Sequence, residues 1–292
     1  MTAMTVQTAS DIAAPAAPRG FLRQLMARPA TMAGAGLILL MTLAAFLGPL
    51  VDPTDPDRID VLKRFLPPLS PGHLLGTDEL GRDVLARLLA GGRISLAIGF
   101  SAMLLSVVIG TAIGMVAGWR GGVIGAVLMR FVDAMMAFPT VFLVLALALL
   151  ISPGLASTTI LIAATSWMSV ARLVEGQYRS LRTADYVAAA RTAGASDLRI
   201  MVVELLPNAA GAIIVAATLN VARAILLESY VSYLGYGIQA PMASWGNMLN
   251  NAQVYLTSAP WLAILPGLAI TLTVTSFNFM GNGLRDTLDP HR

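Results

Sequence analysis

The sequence predicts an all-α polytopic membrane protein of six transmembrane helices, and three observations carry that prediction. Hydrophobic residues make up 57% of the 292 and charged residues only 12%, where soluble domains average about 25% charged. Mean hydropathy is +0.74, and lipid is the solvent in which so much apolar surface is stable. The apolar residues also come in runs of about 20, the length that crosses a bilayer as a helix. These runs are residues 30–50, 94–118, 123–151, 156–174, 209–229 and 260–280. The uncharged stretch 134–171 is cut at Ser152-Pro153-Gly154, a turn signal that makes two spans of it.

Residues 1–22 are rich in Ala, Thr and Pro, hold no apolar run, and are expected to form a disordered cytoplasmic tail. Arg19, Arg23 and Arg28 precede the first run. That is the charge order of a cleavable signal, but the run is long enough to span, so it reads as an uncleaved first helix. Residues 23–92 comprise this helix and an extracytoplasmic loop. The loop opens on the irregular, proline-rich "DPTDPDRIDVLKRFLPPLSPG" (52–72), and His73 directly after it reads as a surface residue. "LLGTDELGRDVLARLLAGGR" then has a helical pattern from about Glu79. Asp78 is the expected N-cap, Asp83 and Arg87 are spaced for an i,i+4 ion pair, and Leu80, Val84 and Leu88 share a face. An amphipathic helix lying at the membrane interface fits that pattern. Residues 93–284 form the main transmembrane domain of five helices, and 285–292 a cytoplasmic tail.

Orientation follows from Lys and Arg in the loops. With the N-terminus inside, the inner segments hold eleven: Arg19, Arg23, Arg28, Arg120, five between Arg172 and Asn208, Arg285 and Arg292. The outer segments hold six, all between Arg58 and Arg93. Both termini are therefore placed in the cytoplasm of a multi-pass membrane protein.

Much chemistry is excluded. There is no cysteine, so thiolate metal sites and disulfides are ruled out for this chain. The two histidines, His73 and His291, lie in the outer loop and at the C-terminus, which disfavours a Ser/His hydrolase within the bilayer. No GxxxxGK[ST] phosphate loop occurs, so the chain does not itself hydrolyse ATP. A net charge of +3 from few ionisable groups gives no nucleic-acid signal. Neither a catalytic residue, a metal site nor a cofactor is expected.

Four ionisable residues fall in or near the spans. Arg130 and Asp133, spaced i,i+3, sit roughly 10 to 15 Å into their helix at about 1.5 Å per residue. Arg223 lies beyond mid-membrane toward the outside, and Glu228 close to the outer interface. Such groups face a bundle interior or a wet pathway, so all four are candidates for the path or a subunit interface. A structural pair is the rival for Arg130–Asp133, and outward snorkelling the rival for Arg223. The outer loop 230–259 carries no charge but is rich in Gln, Asn, Ser, Tyr and Trp. Gln239, Trp245 and Asn247 are its candidates for contact with an external protein or the outer vestibule, with interfacial packing as the alternative.

The connection 176–208 is the most informative segment. In "DYVAAARTAGASDLRIMVVELLPN" (185–208), Thr183 is placed to cap a short helix from Ala184, and Tyr186, Ala189, Ala190 and Ala193 fall on one small-residue face. Gly194 stops that helix at the C′ position. Ser196 is placed to cap a second helix with Leu198, Met201, Val202 and Leu205 on one face, and Pro207 resets the chain. Two readings stay open on spacing: an amphipathic connector on the lipid surface, or a rigid knob that docks into a partner.

"AAARTAGASDLRIMVVELLPN" resembles the EAA loop of binding-protein-dependent ATP-binding-cassette importer permeases: Glu-Ala-Ala, three residues, Gly, nine residues, Ile, one residue, Leu-Pro. Ala188, Ala189, Ala190, Gly194, Leu206 and Pro207 fall in register. Ala188 stands where the family usually has glutamate, and Glu204 where it usually has isoleucine. "LLGTDELGRDVLARLLAGGRISL" (74–96), "FVDAMMAFPTVFL" (131–143) and the stretch 228–290 resemble one branch, the C-type permease subunit of dipeptide, oligopeptide and nickel importers. The likeness covers residues 23–290. It implies the type I importer permease fold, a second similar permease as heterodimer partner, two cytoplasmic ATPases that bind ATP and Mg, and an extracytoplasmic substrate-binding protein. The short helix would be the coupling helix, contacting an ATPase through Tyr186, Ala188, Ala189, Ala190, Gly194, Leu206 and Pro207. Peptide import is the leading function, nickel or glutathione import by the same machinery the alternative, and a stand-alone channel the rival class.

Overall fold

The computed structural model describes residues 21–250 and 252–288. The tail expected over residues 1–22 therefore falls almost wholly outside the described residues, as do Arg19, His291 and Arg292. Every regular element among the described residues is helical.

After the short α1 (Phe21–Met26), α2 (Pro29–Val51) starts on a proline, a residue suited to the first helical turn because the N–H it lacks has no partner there. It is the first span and lies against α11 (Trp261–Leu288) and α3 (Val84–Arg120). The 37 residues of α3 make a rod of about 55 Å, well beyond the ~30 Å of bilayer hydrocarbon. Its first turns therefore stand in the outer loop region.

No separate interfacial helix forms there. The helix starts at Val84, not Glu79, and runs straight into the second span. Asp83, not Asp78, is the N-cap, with its Oδ1 accepting from the Ala86 N–H at 2.9 Å. Asp78 instead folds the turn before it, accepting from the Leu80 and Arg82 N–H groups and from Arg82 Nε. The expected Asp83–Arg87 pair is replaced: Arg87 turns to Asp57 and Asp78, and Asp83 takes His73 Nδ1 at 2.8 Å. His73 is thus a partly buried tie between loop and helix, not a surface residue. The sequence reading missed this because the partners lie up to 30 residues apart.

α3 and α6 pack backbone to backbone along a long seam. Gly110, Gly114 and Gly118 form one face of α3, and a Cβ on each would lie 2.6–2.7 Å from the Trp167, Ala171 and Glu175 carbonyl oxygens of α6 (Leu155–Leu181). A small-xxx-small stripe lets two backbones touch where lipid supplies no hydrophobic drive. The third span is not the single helix expected over 123–151. It is α4 (Gly122–Met136) and α5 (Thr140–Ala148), bent by 81°. Pro139 lies in the break, and the residue before a proline is pushed away from helical geometry. α7 (Asp185–Thr192) follows α6 on the cytoplasmic side. Then α8 (Asp197–Arg199), a π turn (Ile200–Leu205) and α9 (Leu206–Tyr233) join as one 37-residue span. The short α10 (Trp245–Asn250) lies in the last outer loop before α11. Among the described residues five helices are long and apolar enough to cross a membrane, and the bent pair, taken as one span, brings the number to the six expected.

Candidate functional site

The cytoplasmic knob is built from its ends inward. α7 starts at Asp185, and Thr183 does not cap it: its hydroxyl donates to the Ser180 carbonyl. At the other end Gly194 has φ +81°. The Gly194 N–H bonds the Arg191 carbonyl and the Ala195 N–H the Ala190 carbonyl, the paired bonds of a Schellman stop. Ser196 Oγ accepts from the Arg199 N–H as the spacing predicts.

Beyond it the predicted 3.6-residue face fails. Ile200, Met201 and Leu205 are buried, whereas Leu198 and Val202 are 66% and 43% exposed. The reason is the π turn, which widens the helix before Pro207, a residue with no N–H for the ladder. The Met201 carbonyl accepts both from the Leu206 N–H and from Tyr178 Oη at 2.8 Å. The widened turn is thereby pinned to α6.

One apolar cluster holds the knob to the spans: Val187 of α7, Ile200, Met201 and Leu205 of the π turn, Val174 and Tyr178 of α6, and Trp119 of α3. Val187 is 1% exposed and Tyr178 0%. Arg191 adds a second hold, its guanidinium 4.5 Å from the Trp119 ring centroid. Outward, Tyr186, Ala188, Ala189, Ala193 and Gly194 are exposed, Ala190 and Leu206 are half-buried and Pro207 is exposed. α7 thus has one face fixed to the bundle and one methyl-rich face open to the cytoplasm. The helix is held to the bundle by a packed apolar face.

The second feature is a cleft of about 900 Å³ along α6, α9 and α11, lined among others by Gln177, Asn208, Leu219, Arg223 and Arg285. α9 packs against α11, α3 and α6. Among its open positions, Ala212, Ala216, Leu219, Arg223, Leu226 and Tyr230 form a stripe spaced at the helical period. Arg223 is exposed on that stripe and has no hydrogen bond or ion pair with another described residue.

The other predicted site residues separate. Asp133 does not pair with Arg130; it pairs with Arg172 of α6, because the helix crossing offers a partner that the i,i+3 pattern does not reveal. Arg130 is exposed. Glu228 is 0% exposed and borders neither a path nor a free surface. Ser95 Oγ of α3 donates to its Oε2 at 2.8 Å and Ser232 Oγ to its Oε1 at 2.8 Å. Ser95 Oγ also accepts from the Trp245 N–H, so this carboxylate ties α3, α9 and the outer loop together. Trp245 is 2% exposed, with its indole N–H on the Leu88 carbonyl. It therefore does not face the vestibule. Asn247 is half-buried, spanning the Ser244 N–H and the Met242 carbonyl. Only Gln239 of the three is exposed. The sequence reading also missed Trp119, Arg191, Tyr178 and the Gly110–Gly114–Gly118 stripe. Of these, the glycine spacing was there to be read.

Known proteins carry the same pattern. The family model described as "Binding-protein-dependent transport system inner membrane component" matches residues 110–292. A second, "N-terminal TM domain of oligopeptide transport permease C", matches residues 19–68. The dipeptide transport system permease protein DppC of Bacillus subtilis is 42% identical over 269 residues, 92% of this chain and 84% of that protein. The di/tripeptide transport system permease protein DppC of Pseudomonas aeruginosa is 40% identical over 99% of this chain and 98% of that protein. The glutathione transport system permease protein GsiD of Pectobacterium atrosepticum is 39% identical over 93% and 89%. Among solved structures, the inward-facing MetNI methionine ABC transporter has a chain that superposes with TM-score 0.57 at 19% identity. The match covers 69% of this chain and 96% of that one, and it is a likeness of fold.

Proposed function

Because this chain belongs to the binding-protein-dependent transport system inner membrane component family, we propose that it forms half of the translocation path of a peptide importer and couples that path to cytoplasmic ATPases through α7. It is a non-catalytic permease subunit of an ATP-binding-cassette importer in the bacterial inner membrane, crossing the bilayer several times. The observation that carries the coupling role is the two-sided knob: Val187 and the π turn fix it to α6 and α9, while Tyr186, Ala188, Ala189 and Ala193 stay open. A second, similar permease completes the path, two ATPases hold ATP and Mg, and an extracytoplasmic binding protein delivers substrate. ATPase closure moves α7, and α7 carries α6 and α9 with it.

Ala188 removes the acidic contact usual at that position, and Asp185, exposed one turn earlier on the same helix, is the charge left to meet a basic groove. Peptides are the cargo by the names of the relatives at 40–42% identity. Glutathione, itself a tripeptide, is the second reading because a glutathione permease matches almost as well. The test is import of a labelled dipeptide by the reconstituted complex. Gly194→Pro or Ala190→Trp should leave the subunit in the membrane while substrate no longer stimulates ATP hydrolysis. Stimulation at the wild-type level would overturn the coupling assignment.

A further inference from the structure

We propose that Arg223 and Arg285 are successive receiving stations for the carboxylate of the transported peptide, Arg223 at the deep end of the cleft and Arg285 near its cytoplasmic mouth; this rests on the peptide-importer reading. Both line the same cleft of about 900 Å³, and no Asp or Glu lines it. Neither guanidinium has a hydrogen-bond or ion-pair partner among the described residues. Arg28, Arg82 and Arg172 are paired within the chain, by Asp286, by Asp78 and Glu79, and by Asp133; Arg58, Arg120, Arg130 and Arg199 are, like these two, unpaired among the described residues but line no such cleft.

Depth gives the vacancy at Arg223 its meaning. It lies seventeen residues into α9 from Leu206, about 26 Å along the axis, and an arginine at that level faces a wet cavity or a partner, not lipid. It also sits on an open stripe of α9 that lines this cleft. Leu288 lies against Gly211, so Arg285, about one turn deeper, is separated from Arg223 by roughly 10–15 Å of cleft. A dipeptide is shorter than that, at no more than ~3.6 Å per residue, so the two positions act in turn. Gln177 and Asn208, toward the cytoplasmic mouth of the same cleft, offer the amide donors and acceptors that a peptide backbone needs. An exposed guanidinium holds a carboxylate weakly enough to release it, as a path requires.

The chain has no cysteine, so Leu219→Cys, one turn from Arg223 in the cleft, introduces its single thiol. In the full complex in proteoliposomes, an anionic methanethiosulfonate should label this thiol faster than a cationic one. Arg223→Gln should lower that rate ratio about tenfold, and Arg223→Lys should restore it. A free-acid dipeptide should slow labelling, and the same dipeptide with an amidated C-terminus should not. The proposal is overturned if neither reagent labels, if Arg223→Gln leaves the ratio unchanged, if acid and amide protect alike, or if anionic lipid alone gives the protection. The reagent ratio needs no import. A complex that shows it yet imports no peptide would therefore defeat the functional reading and the cargo assignment, while leaving the charged cleft standing.

Discussion

Gly194 and Glu228 show how differently single residues can be fixed. A Cβ at Gly194 would meet nothing within 4 Å, so space does not demand glycine there; the φ of +81° does. Gly194→Ala should therefore cost about 1 kcal/mol through backbone strain alone. The change should appear as weaker substrate-stimulated ATP hydrolysis with normal expression, and unaltered coupling would count against a rigid elbow. Glu228 is fixed by partners. Replacing it with Leu leaves the Ser95 and Ser232 hydroxyls without their acceptor in a buried site, at about 1–3 kcal/mol for each unsatisfied group. Glu228→Gln keeps an acceptor oxygen. In detergent, the thermal midpoint should fall clearly for Glu228→Leu and much less for Glu228→Gln. Equal midpoints would show that the serines do not depend on this side chain.

Between elements, the α3–α6 seam leaves no room for one added methyl group. A Cβ at Gly114 would lie 2.6 Å from the Ala171 carbonyl, a backbone atom that cannot swing away. Gly114→Val should force the helices apart and cost several kcal/mol, in the range of overpacked cores, seen as loss of monodisperse protein. Gly176→Ala, on α6 with nothing within 4 Å, should be tolerated, and equal loss in both would sink the packing argument. The same scale shows what the sequence made legible. Six crossings, the Gly194 stop and the Ser196 cap follow from local spacing, because span length and caps are set by nearest neighbours. The bend at Pro139 is also a local signal, one outweighed by the apolar run around it. The π turn before Pro207 was not legible, since its buried trio Ile200, Met201 and Leu205 follows no 3.6-residue period. Nor was the Asp133–Arg172 pair, which needs the helix crossing to exist first. Of the candidate site, the first short helix, its Gly194 stop and the Ser196 cap were legible, whereas the Thr183 cap and the second helix's face were not, and Trp245 and Glu228 were misplaced because burial is a property of the bundle.

Across the whole molecule α3, like α9, touches both the outer loop and the knob. Its outer turns carry Ser95, bonded to Glu228 of α9 and to the Trp245 N–H of the outer loop. Its inner end carries Trp119, which sits under Arg191 of the knob and packs with Val187 and the π turn. The glycine seam with α6 runs between them, so displacement of α7 reaches α3 through Trp119 and α6 through Tyr178. Coupling of distant sites needs an element whose position both ends bias, and a 37-residue helix held at each end by buried contacts meets that need. Trp119→Ala removes the cation–π contact and a large part of the apolar cluster at the inner end only. The expected outcome is a complex that assembles and hydrolyses ATP at its basal rate. Addition of loaded binding protein should no longer raise that rate severalfold, and dipeptide import should fall by about tenfold, as expected if coupling free energies of ~1–3 kcal/mol are lost. Trp119→Phe keeps a ring beneath Arg191 and should retain most of the stimulation. If Trp119→Ala lowers basal hydrolysis and import in equal proportion, the ring acts only in assembly, and transmission runs through α6 alone.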